Sequence, residues 1–430
     1  PVLIREGDPD GNPWGISFLR MFDMSNDSHL FRTRAELEVR GYRLKGNVFA
    51  PEEATDRVVS ADRNFTQNSN LYLPLYEGKS VELYDHRYAS ILVNPQNMMR
   101  QAYQAETSTQ EHVQADYLSI PQYWISVEHV NKNSPSIDAR WFAVYKRTTT
   151  ASSERTLKCC IIPYVGVGDK LPLILAENAN TVDYNILLAS LNSIVVDFVA
   201  RQKTGYVNLA QFVFNQLPIT GKNSYTNGLK QLVLRRVLEL TFTSYDLRPF
   251  AQDCGYHGPP FRWDEERRFL IRCELDAAYF HLYGIERDDV DYIMDTFPIV
   301  RRKDEAAHGE YRTKRVILEI YDEMAEGIRN YELGIRNEEG YRTRLDPPPG
   351  DPRAAHPWDE AWLEPERPVE EWWEEPDTKY EIRDTGEVSS DEFRVTIEEK
   401  GAAAGRQEAL GDRSRQWSAG DLSSLPRELI

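Results

Sequence analysis

Between Asp197 and Glu239 the chain carries no acidic residue, while Arg201, Lys203, Lys222, Lys230, Arg235 and Arg236 all fall inside that span. In a chain of formal net charge -18 this is a local reversal of sign. Such a run is either the solvated, charge-complemented end of a helix or a groove for a polyanion. Lys79 follows Gly78, which suggests a tight turn offering the ammonium as a point charge for phosphate. His86 stands beside Asp85, but neighbours in a strand point to opposite faces, so a general-base dyad is disfavoured. That leaves His86 and Arg87 to hydrogen bonding within the fold or to contact with nucleic acid. Arg140, Lys146, Arg147, Arg155 and Lys158 flank an antiparallel strand pair expected at 141–145 and 157–162. Charges there either guard a sheet edge or meet a partner.

Metal and thiol chemistry find little support. Cys159, Cys160, Cys254 and Cys273 fit neither a zinc knuckle nor a disulfide framework, so reduced, buried thiols are expected. Glu274, Asp276 and His281 have mixed spacings on one aromatic-rich helix, which favours packing over metal ligation. The glycines of Tyr164-Val165-Gly166-Val167-Gly168-Asp169 imitate a nucleotide loop, but Pro172 interrupts before any helix can follow.

The elements that would position the cations begin with 186–199, where Leu187, Leu188, Leu191, Ile194, Val195 and Phe198 share one face of a buried helix. A second apolar run, 207–217, stops at Pro218. Thr33 and Glu36 form a capping box for a short helix ending at Gly41. Tyr72, Tyr76, Tyr84 and Tyr88 suit half-packed strands across 71–89. Residues 94–114, rich in amides and threonine, read as a loop or insertion. Beyond Pro218, amphipathic helices are expected at 230–240, 263–283, 287–296 and 311–326.

Several stretches together resemble one family. Leu191-Asn192-Ser193, Asp197, Arg201-Gln202-Lys203, Asn208-Leu209 and Gln216-Leu217-Pro218 look like the end of the target-recognition domain of large bacterial adenine-specific DNA methyltransferases. These are enzymes of the Eco57I-like and DISARM kind, found in restriction-modification and phage-defence systems. Tyr72-Leu73-Pro74-Leu75-Tyr76-Glu77-Gly78-Lys79 with Tyr84-Asp85-His86-Arg87-Tyr88 is similar to the segment opening that domain. Glu274 to Gly284, ELDAAYFHLYG, resembles a signature of the C-terminal region. The likeness spans about residues 12 to 325. It implies that Arg147-Thr148 and Glu154-Arg155-Thr156 lie on the recognition sheet, where the arginines would bridge phosphates or fork onto guanine. The implied DNA-contacting set is Lys79, His86, Arg87, Arg147, Arg155, Arg201 and Lys203.

The family's catalytic motif is missing from this chain. No Asn-Pro-Pro-Tyr or Asn-Pro-Pro-Phe occurs, and Asp346-Pro347-Pro348-Pro349 has proline where an aromatic ring would stack on a flipped adenine. No cofactor is expected in the chain itself; S-adenosylmethionine would serve the parent enzyme, and no catalytic residue is assigned. Pro1 and the short apolar Val2-Leu3-Ile4 suggest a chain entered partway through.

Composition sets the remaining bounds. No window approaches ~18 uninterrupted apolar residues, so no membrane span is expected; no charged-apolar-small signal pattern opens the sequence, and with the thiols read as reduced a cytoplasmic setting is expected. Residues 351–400 hold 17 acidic against 6 basic residues, which predicts a mostly disordered acidic tail, with turns around Trp358, Trp362, Trp372 and Trp373 able to dock on a partner or on the protein's own basic groove. The expected organisation is mixed α/β: a connector at 1–60, a DNA target-recognition domain with a mixed sheet and packed helices at 61–220, a helical C-terminal domain at 221–345, and the tail at 346–430. The expected partners are double-stranded DNA and the missing methyltransferase domain. Otherwise the chain is a free-standing specificity or adaptor subunit pairing with a separate methyltransferase or nuclease. A nuclease in its own right is disfavoured, because carboxylates and lysines form no clear cluster.

Overall fold

The computed structural model describes residues 2–53, 70–93, 102–136, 139–177, 179–205, 207–332, 341–358 and 368–374. The class is mixed α/β. One antiparallel sheet runs in the order β1 (Ile16–Leu19), β11 (Leu173–Ala176), β8 (Trp141–Tyr145), β9 (Cys159–Pro163). A second, mixed sheet is built from β2 (Tyr42–Lys45), β3 (Val48–Pro51), β4 (Tyr72–Tyr76), β7 (Trp124–Ser126) and β10 (Gly166–Val167), with only β10 and β4 parallel. A separate hairpin joins β5 (Ala89–Leu92) to β6 (Tyr103–Glu106).

The first sheet is covered on both faces, which explains why β8 and β9 read as unbroken apolar runs rather than alternating ones. Trp141, Ala143, Tyr145, Cys159 and Ile161 point into the core shared with the helices. Their neighbours Phe142, Val144, Cys160 and Ile162 point into a second core, shared with Leu73, Leu75 and Ile125 of the other sheet. All four cysteines are free and buried.

The helical side begins with α1 (Thr181–Asn192) and α2 (Ile194–Lys203), bent by 58° at Ser193. The single helix expected over 186–199 is therefore two. Ser193 breaks it by taking an extended conformation and capping α2, its hydroxyl accepting from the Val196 amide at 3.4 Å. Burial fills the apolar face of both halves, so hydrophobic periodicity runs through the break and hides it. The pair is long and apolar enough to mimic a bent membrane span, but both halves lie in the core, and no single described helix could cross a membrane.

Five more long helices follow: α3 (Asn227–Thr241), α4 (Glu265–Leu282), α5 (Arg287–Asp295), α6 (Pro298–His308) and α7 (Arg312–Glu332). Four match expected helices. The unexpected one, α6, buries Val300 alone, so its sequence carries almost no apolar stripe. Helix α4 packs on α3, α2 and α7, and its Glu274 is sealed from solvent. That carboxylate pairs with Arg236 at 2.7 Å and accepts from Tyr341 and Thr343 at 2.9 and 2.5 Å.

Other expectations change. Residues 2–53, the described part of the expected connector, contribute to both sheets: β1 is an edge of the first, and β2 and β3 belong to the second. Residues 84–88 are turns rather than strand, with Tyr84 at φ 57. In the expected loop 94–114, residues 94–101 lie outside the described residues, while 103–106 pair with β5 and Thr109–His112 is a helical turn behind a Ser108–Glu111 capping box. The opening of the acidic tail is packed, not loose. Trp372 is buried against Gly258, which leaves no room there for a Cβ, and Trp373 donates to the Gly350 carbonyl at 2.9 Å with the Arg235 guanidinium 4.3 Å from its ring. Residues 359–367, including Trp362, and 375–430 lie outside the described residues.

Candidate functional site

The stretch Asn192 to Arg201, which carries the expected contact Arg201 and receives Arg155 from across the fold, proves to be a clamp on the loop before β9. The Asn192 side chain pairs with the Cys159 backbone in both directions, each bond 2.9 Å, as a neighbouring strand would. Asp197, fully buried, accepts from the Thr156 and Leu157 amides at 2.9 and 2.7 Å and from Arg155 Nε at 2.8 Å. Arg155 also donates to the Asn192 carbonyl. Arg201 donates to the Ser153 and Glu154 carbonyls, both at 2.9 Å, with its guanidinium 4.2 Å from the Phe297 ring. Asn, Asp and Arg, spaced about one helical turn apart, thus hold 153–159 against the bend of α1 and α2. The guanidiniums of Arg155 and Arg201 are spent on this contact, which corrects their assignment as DNA contacts.

His86 and Arg87 form a second internal clamp and are likewise corrected. His86 is 2% exposed, with Nε2 3.0 Å from Asp246 and 3.2 Å from Ser244 Oγ. Ser, His and Asp meet there, but one imidazole nitrogen faces both partners, so no relay from serine through the ring to the acid exists. Arg87 is sealed and donates to the Gln114, Tyr117, His112 and Thr243 carbonyls at 2.8–3.1 Å. Asp85 pairs with His112 Nε2 at 3.0 Å rather than with its neighbour His86. This knot joins the turn before β5 to the segment after α3, so a charged run in sequence becomes the seam between sheets and helices.

The other three expected contacts stay at the surface. Lys79 is exposed, its Nζ 3.5 Å from the Ala102 carbonyl. Lys203 is partly exposed and reaches Gln216 at 3.4 Å. Arg147 is partly exposed, and among the described residues its guanidinium makes no hydrogen bond or ion pair. Lys170, which the sequence reading passed over, lies beside it: the Arg147 amide donates to the Lys170 carbonyl at 3.0 Å. Gly78 rests on the same residue, where a Cβ would lie 3.1 Å from the Lys170 oxygen. Leu209 donates to the Arg147 carbonyl, and Thr148 bridges Asn208. One end of the two sheets therefore gathers Lys79, Arg147 and Lys170, bordered by exposed Val207 and Phe212, 61% and 62% exposed. Lys170 is tethered to Asp169 at 2.8 Å.

A cleft of about 490 Å³ opens elsewhere between the 82–88 turn, the hairpin, the 154–158 loop and α4, and of the seven expected contacts it holds Arg155 alone. Most of its charges are matched: Glu82 with Lys158, Asp85 with His112, Glu154 with Lys303, while Glu106 accepts from the Tyr88 hydroxyl. Arg268 and Arg272, one turn apart on α4, meet no carboxylate within ion-pair distance among the described residues. Arg268 is 4% exposed and has one hydrogen bond, to the Leu240 carbonyl, with its guanidinium 3.6 Å from the Trp263 ring. Burial pulls it down to about 9.

Asp276, one turn further on, accepts from the Ile194 amide at 2.7 Å and so caps α2. Burial raises its carboxyl to about 6, with the Arg155 and Arg272 charges opposing. A carboxyl raised above its unfolded value binds more protons folded than unfolded, so stability falls as pH climbs from about 4 through 6. Asp276→Asn keeps the acceptor and should therefore be more stable than the parent at pH 7 by on the order of 2 kcal/mol, the gap closing near pH 4. Urea melts at both pH values check this, and an equal or opposite difference at the two would refute it.

Among the described residues no three His, Cys, Asp or Glu side chains are grouped to hold a metal. Glu274 is enclosed by Arg236 and Tyr341, Asp276 faces α2, and His281 stacks on Tyr321 and donates to its carbonyl at 2.9 Å. No family model, curated protein or solved structure matches this chain.

Proposed function

We propose that this chain is the DNA target-recognition part of an S-adenosylmethionine-dependent adenine-N6 DNA methyltransferase of a restriction-modification or phage-defence system, working in the cytoplasm. It would hold the duplex, while a separate segment or subunit binds the cofactor and transfers the methyl group. The observation that carries this reading is the cationic end of the sheets: Arg147 without an ionic partner among the described residues, next to Lys170 and Lys79, with Val207 and Phe212 exposed alongside. A surface that leaves the Arg147 guanidinium and the Lys79 ammonium without a carboxylate partner among the described residues, beside bare apolar side chains, suits a backbone of phosphates flanked by sugar and base edges. The ordered resemblance across residues 12 to 325 supports the same reading.

Binding of a labelled duplex to the whole chain, followed between ~50 and ~200 mM salt, tests it. Each phosphate contact contributes roughly 0.9 to the slope of log affinity against log salt, so the triple variant Lys79→Ala, Arg147→Ala, Lys170→Ala should lose about 2 to 3 from that slope. All three side chains are at the surface, so the fold should survive. An unchanged slope, or no binding by the parent at the lowest salt, refutes the proposal.

A further inference from the structure

The geometry points to a second binding site: the cleft beneath the hairpin takes the phosphate group of a nucleotide-sized ligand, held between Arg268 and Arg272 on α4. The proposal does not depend on duplex binding at the far end of the sheets. Three observations carry it. The first is size, since about 490 Å³ lies within the range that encloses small ligands. The second is the state of Arg268. A guanidinium has five donors in a fixed fork, yet this one, 4% exposed, gives a single hydrogen bond among the described residues. A cation this buried, with open donors and with Asp85 and Glu265 near it but outside ion-pair distance, is costly unless a ligand completes it.

The third is the company it keeps. Arg272 lines the same wall one turn away and makes no hydrogen bond or ion pair among the described residues. Two forks at that spacing match the several oxygens of a phosphate better than a lone carboxylate. The six carboxylates lining the cleft are each hydrogen-bonded, Glu82 to Lys158, Asp85 to His112, Glu154 to Lys303, Glu106 to the Tyr88 hydroxyl, Glu265 to the Trp263 indole and Asp276 to the Ile194 amide, which leaves Arg268 and Arg272 as the lining cations without a carboxylate partner among the described residues. Trp263, stacked on His112 and lying against the Arg268 guanidinium, and Phe269, lying against Arg312, line the same wall and hold its side chains in place.

The phosphate could belong to a free nucleotide or to a nucleic-acid strand, and calorimetry on the whole chain separates them with three probes: inorganic phosphate, AMP, and a short single-stranded oligonucleotide without terminal phosphates. At least one should bind, and Arg272→Gln should weaken it by about 10-fold or more, as loss of a charge-assisted hydrogen bond does. Binding of phosphate or AMP lost in the variant assigns a terminal phosphate; loss confined to the oligonucleotide assigns a strand phosphodiester. If none of the probes binds, or if Arg272→Gln binds as the parent does, the inference is overturned. Arg272 holds no partner, so the variant should fold; if it does not, movement of the Trp263 indole NMR signal in the parent on adding the probes decides, and a static signal overturns. The Lys79, Arg147, Lys170 triple variant should keep this binding while losing the duplex, so that either site can fail alone.

Discussion

Replacing Asp197 with alanine is expected to cost about 3–5 kcal/mol of stability, the range for removing one partner of a buried pair. The carboxylate is sealed from water and accepts from two main-chain amides and from Arg155 Nε. Deleting it leaves a guanidinium whose side chain is 12% exposed without its anion, and two buried amides without acceptors. Against the bend of α1 and α2, the loop 153–159 would then keep the bonds of Asn192, Arg201 and the Arg155 contact with the Asn192 carbonyl. Urea denaturation reads the change directly as a shift in midpoint at constant slope. A loss under ~1 kcal/mol would place Asp197 among ordinary surface pairs and undo the clamp.

The second large effect is at Arg87. Arg87→Leu keeps much of the bulk but removes the donors that four carbonyls and the Thr243 hydroxyl use. Removing donors from buried acceptors costs about 1–3 kcal/mol each, partly offset where a carbonyl keeps another bond, so a net loss of about 3–5 kcal/mol is expected. Arg87→Lys should not rescue it, because a single ammonium cannot span acceptors contributed by residues 112–117 and Thr243 at once. Thermal melts with amide exchange should show 112–117 and 241–246 loosening together. Loosening of one segment alone would mean that the arginine does not tie them.

These two residues show what a single sequence hides. The runs at 141–145 and 157–162 were legible as an antiparallel strand pair, and four of the long helices after Pro218 were legible from their apolar stripes. Sidedness was not: both faces of β8 are buried, so nothing in WFAVY tells which core each residue enters. Arginine is ambiguous for a related reason. The same side chain serves a phosphate at the surface or a set of carbonyls in the interior, and spacing alone does not separate the two uses. Arg87 and Arg201 went inward because main-chain carbonyls from distant segments converge on them, a fact of tertiary structure. Arg147 stayed outward because the end of β8 reaches the surface there, beside a Lys170 that sequence order places 23 residues away. Arg268 and Arg272 were written on a helix correctly read as packed. What marks them is the empty space in front, which only the fold creates.

Amide hydrogen exchange of the chain with and without a DNA duplex is the most direct measurement of the central claim, because it locates the contact without assuming which residues make it. Protection on adding DNA should concentrate at 77–80, 146–149, 168–171 and 207–212, the segments that meet at the cationic end of the sheets, and should fade as salt is raised. Duplex-induced protection confined to other surfaces, or exchange unchanged throughout, would contradict it.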